Sequence, residues 1–122
     1  MTNARPGADG RLPLTSTVFH ILLSLADRER HGYGIMQEVE AMTQGRIRMG
    51  PGTLYGAIKR LIATGLIVES DERPDPEQDD ERRRYYRLTS LGRSVLGAET
   101  QRLADLVNVA HSKRIFGGQE AG

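Results

Sequence analysis

One stretch restricts what the rest of the chain can become. Gly50-Pro51-Gly52-Thr53-Leu54-Tyr55-Gly56-Ala57-Ile58-Lys59-Arg60-Leu61-Ile62-Ala63-Thr64-Gly65-Leu66 reads as a single helix. Pro51 fits the first turn, where its missing N–H would have had no intrahelical partner. Gly65 fits the position just past the end, which favours positive φ. Leu54, Ile58 and Leu61 recur at helical spacing with Ala57 and Ile62 beside them, so one side packs inward. Thr53, Gly56, Lys59 and Arg60 occupy the other side. Two readings fit that side: the solvated face of an ordinary amphipathic helix, or a face of small and cationic groups that lies in a DNA major groove. On this helix alone the first is the simpler reading. What surrounds it favours the second.

The chain before it supplies two more helices. Residues 1–13 are polar and rich in Gly and Pro, the composition of a disordered arm. Arg5 and Arg11 on that arm fit either a floppy tail or a DNA contact. A helix is expected from about Leu14, with Thr15, Ser16 and Thr17 as candidate N-caps and Val18, Phe19, Leu22 and Leu25 as its apolar stripe. His20 reads as a helix-face histidine. Asp27-Arg28-Glu29-Arg30 is a charged connector. His31-Gly32-Tyr33-Gly34 then marks a turn into a second helix with Ile35, Val39 and Met42 on one face. Two roles fit Tyr33: half-buried against the first helix, or donating to a phosphate at the start of a helix that crosses the DNA backbone. Gln44-Gly45 closes this helix. Arg46-Ile47-Arg48-Met49 is an extended link, readable as one short strand, with both arginines on one side.

The chain after it reads as strand, loop, strand. Leu66 to Ser70 is β-branched and apolar, and Arg82-Arg83-Arg84-Tyr85-Tyr86-Arg87-Leu88 reads as its partner. Residues 71–81 between them carry seven of the chain's sixteen acids and one of its seventeen bases. Outside that loop stand 16 bases against 9 acids, a balance of +7 concealed by the overall +1. Two strands and a polar loop directly after a groove-reading helix make a wing. Arg82, Arg83 and Arg84 then lie where they reach phosphates or a minor groove. Pairing with the neighbouring acids is the competing role, but exposed pairs are worth only about 0–1 kcal/mol, which leaves these arginines free to turn to a polyanion.

Thr89 reads as the N-cap of a last helix reaching to about Ile115. Leu96, Leu103 and Ala110 follow at seven-residue steps, with Leu106 and Val107 between them. Such a seam packs on its own domain or pairs with another helix. Pairing between chains is preferred, because a helix this long projects past a three-helix core. Residues 89–116 are therefore read as a dimerisation helix, 14–88 as the DNA-binding domain, and 117–122 as a disordered tail.

Several function classes lack support. There is no cysteine, so neither disulfides nor thiolate metal sites arise. His20, His31 and His111 show no metal-ligand spacing, and neither a nucleophile elbow nor a phosphate-cradling glycine loop occurs. No enzyme activity, metal or cofactor is expected. With no secretory pattern at the start and no apolar run of membrane-spanning length, the expected location is cytoplasmic.

The expected fold is mainly α with a small β wing: a winged helix-turn-helix followed by a C-terminal dimerisation helix. His31-Gly32-Tyr33-Gly34-Ile35, Gly52-Thr53-Leu54-Tyr55, Arg60-Leu61, Gly65-Leu66-Ile67, Arg83-Arg84-Tyr85-Tyr86-Arg87-Leu88-Thr89 and Leu91-Gly92 together resemble the PadR-like transcriptional regulators, in the small-tailed branch. The resemblance covers residues 14 to 110. It implies a homodimeric repressor whose recognition helices enter successive major grooves of a pseudo-palindromic operator. It carries Tyr33 to a backbone-contacting tyrosine, Thr53, Tyr55 and Lys59 to recognition-helix positions, and Arg83 and Arg84 to the wing. In some relatives a cleft between the first and last helices takes flat aromatic or other apolar effectors. The matching positions are Val18, Phe19, Leu103, Leu106 and Val107, which fit a plain dimer core equally. Two departures stand out: Gly56 replaces the proline that usually follows Leu-Tyr, and the wing loop is long and acidic. Two other classes remain, a small-molecule sensor with secondary DNA binding and a protein-interaction module using the acidic loop.

Overall fold

The computed structural model describes residues 11–70 and 84–115. In chain order the elements are α1 (Ser16–Ser24), β1 (Arg30–His31), α2 (Gly32–Met42), α3 (Pro51–Ala63), β2 (Ile67–Glu69), β3 (Tyr85–Leu88) and α4 (Ser90–Ser112). Expected and observed helices agree to within about two residues at most ends, the scatter that fraying produces. Each start has a physical cause. Thr15, His31 and Thr89 accept from the backbone N–H three residues on, satisfying groups that the first turn would otherwise leave without a partner. α3 has no side-chain cap and relies on Pro51 at its first position. Beyond its C-cap Thr64, Gly65 takes φ 82° as expected.

The sheet is antiparallel with strand order β1-β3-β2. Its third strand corrects the sequence reading. Residues 46–49 form no strand, whereas Arg30–His31, read as connector and turn, pairs with Tyr86 and Tyr85. A two-residue strand carries no hydrophobic alternation of its own. It exists because β3 offers a free edge, which only the tertiary fold reveals.

The core is the sum of the inward faces: Ile21, Leu22 and Leu25 of the first helical segment, Ile35 and Val39 of α2, Leu54, Ala57, Ile58 and Leu61 of α3, Ile67, Tyr86 and Leu88 of the sheet, and Val95 and Leu96 of α4. Ile62, placed inward by the sequence reading, stays exposed. α4 leaves the sheet by a tight junction. Thr89 donates from its backbone N–H to Leu66 O at 3.1 Å, and its hydroxyl bonds the same carbonyl. One turn on, α4 crosses so close to that carbonyl that a Cβ on Gly92 would lie 1.9 Å from Leu66 O.

Glu99 fastens the other side of α4. Its side chain is 2% exposed and accepts from Leu14 N–H at 3.0 Å, while Arg102 donates to both carboxylate oxygens at 2.6 and 2.8 Å. The Arg102 hydrogen bonds outweigh burial and hold the Glu99 carboxyl below its ordinary 4.5. A depressed folded-state value means that the stabilisation is complete above the unfolded value and disappears as pH falls through the folded one. Glu99→Gln is therefore expected to lower Tm by several degrees at neutral pH and to flatten the acid limb of a Tm-against-pH profile below 4.5. An acid limb unchanged from wild type would show that Glu99 does not carry it.

Candidate nucleic-acid interface

The inward stripe of α3 fixes what its other face must show. With Leu54, Ala57, Ile58 and Leu61 buried, Thr53, Lys59 and Arg60 are exposed. Among the described residues neither Lys59 nor Arg60 has an acidic partner, and Arg60 lies back along the helix with Nη1 3.8 Å from where a Cβ on Gly56 would stand. The face is thus a hydroxyl, a bare backbone and two uncompensated cations, a combination that suits close approach to phosphates and base edges.

Tyr55 is less exposed than this set. It is half-buried and packs against the core, with its hydroxyl end under the start of α2, where a Cβ on Gly32 would fall 2.1 Å from Oη. It braces α2 on α3, and Gly32 is the residue that leaves it room. Its recognition-helix position came from the family resemblance, not from helical spacing, and a long aromatic side chain on the flank of a helix reaches a neighbouring element that a helical wheel does not represent.

At the start of α2, Tyr33 is 60% exposed, which excludes the half-buried alternative. His31 organises this corner in three ways. Its Nδ1 accepts from Gly34 N–H at 2.9 Å, its backbone pairs with Tyr85, and its ring lies between two tyrosines. The centroid separations are 6.5 Å to Tyr33, stacked, and 5.2 Å to Tyr85, edge-on. Tyr33 is thereby held outward beside the sheet. Sequence reading placed His31 in the turn that opens α2 and found no metal-ligand spacing for it, but gave its side chain no role. What it missed is that the imidazole itself caps the helix, a role its place immediately before Gly-Tyr-Gly allowed.

On the wing side, Arg84 Nε lies 3.4 Å from Glu69 Oε2, so this arginine is paired across the strands. Arg82 and Arg83 lie outside the described residues, as does the acidic segment 71–81.

The dimerisation set divides in two. Leu96 is 6% exposed and belongs to the chain's own core, contrary to its place in the expected seam. Val18 and Phe19 are partly buried against that core. Past Glu99 the apolar residues of α4 lose cover: Leu103 and Ala110 are half-buried, whereas Leu106 is 52% and Val107 53% exposed. Val109 and Ile115, which the seven-residue pattern omitted, are exposed as well. One open cleft among the described residues is lined by Leu88, Thr89, Ser90, Arg93 and Ser94. No group of acids and histidines among the described residues could hold a metal ion, and none of their helices is long and apolar enough to cross a membrane.

Three helices with an exposed cationic third member, a small antiparallel sheet and a long terminal helix define a winged helix-turn-helix. The chain belongs to the PadR-like family of transcriptional regulators, whose profile matches residues 21–98. It is 38% identical over 100 residues to a protein called transcriptional regulator Rv3488 of Mycobacterium tuberculosis, covering 82% of each chain. Its structure is similar to that of a PadR family transcription regulator from Clostridium difficile, with a TM-score of 0.64 and 25% identity over 80% of this chain and 97% of that one. A PadR-like transcription factor from Bacteroides fragilis gives 0.62 and 26% over 78% and 86%. The family and these relatives are transcriptional regulators, not enzymes.

Proposed function

We propose that the protein is a homodimeric repressor that binds a pseudo-palindromic operator through α3, with Tyr33 on the phosphate backbone and Arg82, Arg83 and Arg84 reaching it from the wing. The observation that carries this reading is the outer face of α3, where Thr53, Lys59 and Arg60 are exposed and the two cations have no acid beside them among the described residues. Bidentate or charge-assisted contacts from such side chains supply both affinity and base discrimination. The bare apolar surface at Leu106 and Val107 supports pairing through the second half of α4, since a monomer exposing that helix face would leave apolar area in water. Leu103 and Ala110 would line the same contact. Where α1 meets the paired helices, Val18, Phe19, Leu103, Leu106 and Val107 would border a cleft for a small apolar or aromatic effector that relieves repression.

Lys59→Ala tests the reading. Operator fragments selected from genomic DNA should bind the variant about 5- to 150-fold more weakly, the range of about 1–3 kcal/mol for a specific contact, as measured by gel shift. Wild-type affinity should fall linearly with salt on logarithmic axes. Unchanged affinity in the variant removes Lys59 from the interface. A flat salt response would favour a protein-interaction module or an effector sensor over a DNA-binding repressor.

A further inference from the structure

We propose that the turn between α2 and α3 is a second phosphate-binding surface, with Arg46 as its anchor and Arg48 held by Glu40 until DNA arrives. The inference rests on the DNA-binding reading and extends it beyond the recognition helix.

The turn is built to hold its shape. The Thr43 hydroxyl donates to Val39 O at 2.9 Å and accepts from Ile47 N–H at 3.0 Å, which ties the last turn of α2 to the link beyond it. Arg46 N–H donates to Thr43 O at 3.0 Å, and Gly45 N–H to Glu40 O at 2.8 Å. Ile47 and Met49 pack against the core, so the alternating Arg46 and Arg48 are turned outward and exposed. Two guanidinium groups therefore project from a fixed backbone directly ahead of α3. Holding the backbone in advance lowers the ordering cost of binding, and the planar fork of arginine matches a phosphate in two bonds.

The two arginines differ in their present partners. Arg46 has no acidic partner among the described residues. Arg48 Nε lies 3.4 Å from Glu40 Oε2, with both side chains well exposed. An exposed pair of this kind is weak, so a phosphate can replace the carboxylate. The exchange gives Arg48 a smaller net gain than Arg46, whose charge is uncompensated. Contacts from this turn fix where α3 enters the groove without reading sequence.

Salt titrations on a short random-sequence duplex decide it. Wild type, Arg46→Ala, Arg46→Lys and Glu40→Gln are compared, with thermal melts confirming folded protein. Arg46→Ala is expected to flatten the slope of log K against log salt by about 0.9 for each phosphate released, and Arg46→Lys to restore most of it. Glu40→Gln is expected to bind more tightly by freeing Arg48. A steep wild-type slope kept intact by Arg46→Ala overturns the proposal for Arg46 while leaving DNA binding in place. Unchanged affinity in Glu40→Gln removes Arg48. A wild-type protein with no salt dependence overturns the DNA reading and this inference together.

Discussion

Replacing both Leu106 and Val107 with glutamate is expected to leave the chain folded and to abolish the proposed dimer. The argument turns on where these residues already stand. Both are more than half exposed in the single chain, so a carboxylate there enters water and costs the fold little. Across a paired helix the same carboxylates would face apolar partners, and burying an unpaired charge is expensive enough to separate the subunits. Sedimentation should show a monomer with wild-type helical content. Affinity for a two-half-site operator should drop by about 10²–10⁴-fold, the advantage of linking two binding events. An intact dimer would move the interface away from the second half of α4. A monomer with unaltered operator affinity would show that pairing is not what joins two half-sites.

The second large effect belongs to Gly92→Ala. A helical alanine for glycine is ordinarily stabilising by up to about 1 kcal/mol. Here the added methyl would fall 1.9 Å from Leu66 O, a backbone atom that cannot swing aside and that already receives Thr89. Relief requires shifting α4 off the sheet and breaking the Thr89 bonds, so the cost should be about 3 kcal/mol or more, at the upper end of overpacking. The measurement is chemical unfolding at equilibrium. Gly97, on the same helix with open space around it, serves as the control, and its alanine variant should be as stable as wild type or more so. Equal behaviour of the two variants would mean that the α4 junction is looser than its geometry.

How much of this was legible from residues alone follows physical lines. The caps at Thr15 and Thr89, the glycine after α3 and the inward faces of α2 and α3 are local matters, written in side-chain chemistry and helical period. What depended on a distant partner was misread. Arg30–His31 is a strand only because β3 lies beside it. The packing of Tyr55 in the room that Gly32 leaves had no signature in the helical period. Leu96 shows the same limit in another form. A seven-residue repeat states that a face is apolar, not whether the covering comes from the same chain or a second one. The break between covered and uncovered positions falls near Glu99, whose bonds to Leu14 and Arg102 close the domain there. On α3, Thr53, Lys59 and Arg60 were legible because exposure is what remains once the apolar stripe is assigned.

The unbroken length of α4 has a mechanical consequence. Its 23 residues make a stiff spar of about 34 Å at 1.5 Å per residue, set firmly into the reading head at one end and bare at the other. No hinge separates the two ends, so a head cannot swivel independently of its spar. In the proposed dimer, any change in the angle at which two spars cross would arrive at the heads as a change in span. On that proposal, an effector wedged at the crossing would release the operator by altering the gauge between the heads, with no need to loosen either one.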